Sequence, residues 1–156
     1  MEALAQVLTR QQVLLDLLVF KLVTMRQLLL CGETRFLPWA GEEVERAAAT
    51  LRRAELERAV VSESVAAARG LSDPTLTELV ADAPEPWASL LSDLAESLRA
   101  GATEVADLLM SNRRLAEAGA NSIAEALGSI SAPDATPVRA AYSDGTTGGS
   151  RVHQVL

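Results

Sequence analysis

The sequence predicts an all-α protein, an antiparallel bundle of three long coiled-coil-like helices with a short helical linker and a flexible C-terminal tail. Three observations carry this reading. Hydrophobic residues make up 49% of the 156 residues and aromatics only 3%, so the apolar content sits in Leu and Ala, which favour helices over strands. Apolar positions recur at alternating three- and four-residue spacing along three long stretches. Gly32, Gly70 and the prolines at 74, 84 and 86 fall between those stretches. A chain of this length fits one domain with a continuous core. Residues 1–131 read as the helical bundle and 132–156 as the tail.

The first helix carries Leu4, Leu8, Leu15, Leu18, Leu22, Met25 and Leu29 on one seam, with Gln11 in the remaining slot. A second set, Val7, Val13, Leu14, Leu17, Phe20 and Val23, widens the apolar surface. That width predicts contact with more than one neighbour and hence a central position. Gly32 closes the helix through a left-handed residue and opens a turn reaching Leu37.

The second helix is predicted to start near Pro38, since proline suits the first helical position, with Glu42, Glu43 and Glu45 near the positive end of its dipole. Val44, Ala47, Leu51, Ala54, Val61, Val65 and Ala68 form its stripe, interrupted by Arg58 and stopped by Gly70. The alanines allow close approach to the first helix. The segment GLSDPTLTELVADAPEP follows as a linker, in which Asp73-Pro74 is expected to cap a turn or two of helix through Leu79.

The third long helix starts near Pro86 and carries Trp87, Leu91, Leu94, Leu98, Val105, Leu108 and Leu115 on its seam, with Gly101 and Asn112 between them. Near Gly119 the pattern weakens, and Ser122 to Glu125 matches a capping box that restarts a helix through Ile130. From Ser131 the residues SAPDATPVRAAYSDGTTGGSRVHQVL lack helical periodicity, which predicts a flexible segment.

Composition and charge exclude several function classes. A net charge of −7 opposes binding to phosphate backbones or anionic lipid, so nucleic acid is not an expected partner. The most apolar stretch, Val13 to Val23, contains Asp16 and Lys21 and is shorter than the ~20 residues of a membrane span. Met1-Glu2 lacks the basic start of a signal peptide and Cys31 has no second cysteine to pair with, so a cytoplasmic location is expected.

No catalytic site can be assembled. The single histidine, His153, lies in the tail and Cys31 sits at a helix end. Glu42/Glu43 and Glu55/Glu57 read as solvated surface rather than as acid–base pairs. One histidine does not anchor a metal site, and Gly145 and Gly148-Gly149 lack the strand and helix that flank a phosphate loop. No cofactor is expected. Cys31 reads as a small buried residue rather than a reactive thiol. Trp39 and Trp87 are expected to cover bundle ends, the alternative being a binding hot spot. Asn112 reads as a register-fixing polar residue, the alternative being partner contact.

Helix lengths point to a protein partner. Two helices of about 30 residues extend about 45 Å, whereas a helix from Pro86 to Ile130 extends about 67 Å. The excess falls near Gly119 to Ile130, where Ile123, Leu127 and Ile130 form an apolar stripe at i, i+4, i+7. Nothing in the chain is left to cover it, which implies a partner helix, either a second copy in a homodimer or another protein.

Several segments are similar to the FlgN family of flagellar export chaperones, over residues 4 to about 150. LLVFKLVTMRQLLLCGETRFLPWAGEEVERA resembles the family's first helix, turn and second-helix opening, and RRAELERA its paired Arg and Glu segment. LTELVADAPEPW followed by NRRLAEAG resembles its third-helix signature, with Ala116 where a second leucine is common. Tyr142-Ser143-Asp144-Gly145 resembles its aromatic-and-glycine tail. The resemblance implies a type III export chaperone that holds the C-terminal segments of the hook-filament junction proteins FlgK and FlgL, prevents premature assembly and delivers them to the export gate. Together with the uncovered stripe, this gives Ile123, Leu127 and Ile130 as the expected cargo contacts, with Leu115 of the resembling NRRLAEAG segment beside them, and Tyr142 as a candidate gate contact. The competing readings are a self-associating structural helical protein and an adaptor of another secretion system.

Overall fold

A computed structural model describes residues 1–72 and 74–131. Among these the protein is all-α, with α1 (Glu2–Leu30), a 3-10 turn (Thr34–Phe36), α2 (Leu37–Ala68), α3 (Leu76–Ala81) and α4 (Trp87–Ser131). The expected flexible tail, residues 132–156, lies outside the described residues.

The turns follow from local chemistry. Gly32 and Gly70 both take φ of +70°, the left-handed conformation that ends a helix at low cost in glycine. Pro38 lies in the first turn of α2, where its missing N–H loses nothing. The cap of α3 is Thr75 rather than Asp73-Pro74, a correction. Thr75 Oγ1 accepts from the Glu78 amide at 3.3 Å, and the Glu78 carboxylate accepts from the Thr75 amide at 2.7 Å, a reciprocal capping box. Arg69, closing α2, and Asp82, closing α3, form an ion pair that ties the linker together.

The Gly119 break does not occur. α4 is one helix of 45 residues, because a single glycine costs only about 1 kcal/mol against the hydrogen bonds of the turns around it.

α1 is the shared helix. Its seam residues Leu4, Leu8, Gln11, Leu15, Leu18 and Leu22 are buried. Arg10–Glu57 and Lys21–Glu43 pair α1 with α2 in opposite directions. Gln12–Ser97 and Asn112–Leu22 pair α1 with α4 in the same direction. One apolar cluster joins Leu4, Leu8, Ala66, Leu79 and Leu91 where the linker crosses, and a second joins Leu15, Leu18, Leu22, Ala47, Leu51 and Leu108 nearer the hairpin tip. Among the described residues, the backbones of α2 and α4 nowhere approach within 8 Å; both helices lean on α1.

Four expectations about burial are corrected. Val13, Leu17, Phe20 and Val23 are exposed, because α2 and α4 both lie against the seam side of α1 and leave its back bare. Cys31 is exposed, one residue before the chain turns at Gly32. Trp39 is 65% exposed and meets Phe36 with ring centroids 5.7 Å apart, whereas Trp87 packs partly buried on the linker-end cluster. Ala68 is also exposed, and Ala66 takes the buried position at the end of α2.

Candidate functional site

The site is built by α4 and by the point at which its neighbours end. Asn112 is buried and its side-chain amide donates to the Leu22 carbonyl at 2.9 Å, fixing α4 against α1 eight residues before α1 ends. Nineteen residues of α4 follow Asn112, about 28 Å of helix. From Ala116 to Ile130 every residue is exposed. Ile123, Leu127 and Ile130 share one face there, at 56%, 59% and 80% exposure. Leu115 is placed differently. It follows Leu108 and Asn112 on the row facing α1 and is half-buried, so the structure does not bring it onto the open stripe.

Reading back from Ile130 at alternating three- and four-residue spacing gives Leu127, Ile123, Ala120, Ala116, Arg113, Leu109, Ala106 and Ala102. All nine positions are exposed. This second row lies beside the one packed on α1 and extends the open surface below the overhang. The sequence carried the signal, but a row offset by one residue from a stronger Leu seam is easily merged with it. Arg113 is its only charged member, and its Nε donates to Glu117 Oε1 at 2.8 Å.

Among the described residues no group of His, Cys, Asp and Glu is arranged to hold a metal ion. An open hollow of ≈ 420 Å³ lies between the end of α2 and the linker, lined by Arg58, Ser62, Glu63, Ala66, Leu71 and Leu76 among others. No described helix is long and apolar enough to cross a membrane. Glu43 is held below the ordinary carboxylate range by the hydrogen bond and charge of Lys21. Glu78 is lowered by the backbone and side chain of Thr75. Both shifts belong to structural pairs. No protein-family model matches the chain, and no curated protein and no solved structure matches it. Tyr142, expected at an export gate, lies outside the described residues, as does His153.

Proposed function

We propose that this protein is an export chaperone of the FlgN type, an antiparallel three-helix holder without catalytic activity that works in the cytoplasm. It captures the C-terminal amphipathic helical segments of the junction proteins FlgK and FlgL. The observation that carries the reading is the bare stripe Ile123, Leu127 and Ile130 on a helix that outruns its neighbours. An aliphatic row on a lone helix takes an amphipathic helix by burying apolar area on both sides. Junction subunits that polymerise through such helices are kept apart while the row is occupied. An open helix face, rather than an enclosed pocket, favours release, because little must rearrange for the cargo to leave. Tyr142 is the candidate contact with the export gate.

The test is capture of the C-terminal segments of FlgK and FlgL by the purified protein, wild type against Leu127→Asp. Leu127→Asp is expected to keep its helicity and melting temperature while losing the cargo. Leu18→Asp, which strands a charge at a position 6% exposed, is expected to unfold the protein, at a cost of more than about 3 kcal/mol. Capture by Leu127→Asp at wild-type affinity would place docking elsewhere.

A further inference from the structure

Five turns of an α-helix take about 18 residues, so residues that far apart on α4 point the same way. Residues 100–112 and 118–130 of α4 stand at this spacing and are similar in sequence, AGATEVADLLMSN against AGANSIAEALGSI. Six of the thirteen positions are identical, and Val105 is matched by Ile123 and Asp107 by Glu125. The first unit has its partner within the chain. Gly101 receives Leu15 of α1 so closely that a Cβ there would overlap the leucine side chain. Val105 and Leu108 pack with Leu15, Leu18 and Leu22, and the Asn112 amide donates to the Leu22 carbonyl at 2.9 Å. The second unit presents the matching face uncovered among the described residues. Nothing lies within 4 Å of a Cβ at Gly119, and Ile123, Leu127 and Ile130 are exposed. Leu30, the last residue of α1, is exposed too, which marks where α1 has parted from α4.

The helix held by the first unit defines what fits the second. That seat takes leucines at i, i+3 and i+7, namely Leu15, Leu18 and Leu22, on a helix parallel to α4. The differences between the units adjust the fit. Ala126 stands where the buried Leu108 does and leaves room for a larger side chain opposite. Ile130 stands where Asn112 does, so the hydrogen bond that fixes α1 has no counterpart. A helix seated there is held by apolar contact without a polar lock on its register, as suits an occupant that must leave.

We infer that residues 118–130 are a second helix seat, a repeat of the one that holds α1. Its occupant is a helix of another protein that carries the α1 pattern, apolar at i, i+3 and i+7. That helix runs parallel to α4, with its first apolar residue at Gly119. The inference deepens the export-chaperone reading and rests on it for the partner's identity; the seat and its direction do not depend on which protein supplies the helix.

Two probes are titrated against the full chain: the C-terminal segments of FlgK and FlgL, and a helix-stapled peptide of residues 14–27, which carries the α1 pattern. Gly119→Leu fills the seat, with nothing within 4 Å of its Cβ to clash. Gly128→Leu adds the same bulk in equally open space, nine residues on and thus about half a turn round the helix. Both variants are expected to melt no lower than wild type. Gly119→Leu is expected to weaken binding of the stapled peptide at least about tenfold, and Gly128→Leu to leave it unchanged. A nitroxide on the peptide's N-terminus is expected to broaden the amide signal of Gly119 rather than that of Ile130. No binding of the peptide to wild type, equal binding by Gly119→Leu, or broadening at Ile130 each overturns the inference. Capture of the FlgK or FlgL segments that survives Gly119→Leu also overturns it, and leaves the chaperone reading standing. If the peptide behaves as expected and wild type captures neither segment, the seat stands and the chaperone reading falls.

Discussion

Asn112 sits at 5% exposure among leucines, with its amide nitrogen bonded to the Leu22 carbonyl and its Oδ1 without a partner. The Leu22 carbonyl lies mid-helix and also receives its own helical amide, so losing Asn112 strands no backbone group. Asn112→Leu is therefore expected to raise stability by about 1–2 kcal/mol in chemical denaturation, since apolar area replaces an unsatisfied oxygen. The cost is register, visible as broadened amide signals along α1 and α4. A lower midpoint would show that the single hydrogen bond outweighs burial. The carboxylates give a second prediction. Glu43 and Glu78 have lowered pKa values in the folded state. Each stabilises the fold above the ordinary carboxylate pKa and loses that contribution as the pH falls through the folded value. The stability gap between wild type and Glu43→Gln is thus expected to hold at neutral pH and close below the ordinary value of 4.5. At this scale the sequence made Asn112 legible, because a lone amide on a heptad seam has few roles. Cys31 and Trp39 were misread because size and polarity do not say which side of a helix end the chain will cover.

Helix ends were the most legible elements. Gly32, Pro38 and Gly70 each act through backbone geometry that needs no tertiary partner. The linker was less so, because Asp73-Pro74 and Thr75-Glu78 are competing caps two residues apart, and reciprocal bonding decided for Thr75. Two of the three glycines of α4, Gly101 and Gly119, have opposite meanings. A Cβ at Gly101 would lie 2.5 Å from Cδ2 and 3.1 Å from Cγ of buried Leu15, whereas nothing lies within 4 Å of one at Gly119. Gly101→Ala is expected to lose about 1 kcal/mol, the overpacking cost exceeding the gain in helix propensity. Gly119→Ala is expected to gain about 0.5–1 kcal/mol. Thermal melts of the two variants should move in opposite directions; a gain at both would mean that Leu15 yields freely.

For the whole molecule, the three long helices and the excess length of α4 among the described residues were legible in the sequence, because periodicity and length are additive along the chain. The arrangement around α1 was not. An all-round apolar helix suggests neighbours on every side, yet both neighbours chose the seam side and left Val13 and Phe20 to solvent. That choice depends on alanine content in α2 and on Gly101 in α4, which set how closely each approaches. If the protein is the chaperone proposed above, capture of the FlgK or FlgL segments is expected to be apolar in character, since the open row carries one charge, already paired with Glu117. Between about 0.05 and 0.5 M salt, where screening of surface charge changes strongly, affinity is expected to change less than about threefold. A steep decline would assign the attraction to Arg113 and Arg114.

That the backbones of α2 and α4 do not touch, and are bridged by α1 and by the short α3, has a consequence for the order of assembly. The α1–α2 pairs close over short stretches of chain, Lys21 to Glu43 being 22 residues apart, whereas Asn112 reaches Leu22 over 90. Closing the longer loop costs more entropy and is rewarded only once its target surface exists. The hairpin is thus expected to form first and α4 to dock on it afterwards, where Leu91 joins the cluster of Leu4 and Leu8. Refolding of Ala54→Gly, which weakens the hairpin, is expected to slow in proportion to the stability it loses; Val105→Ala, on the late helix, should chiefly hasten unfolding.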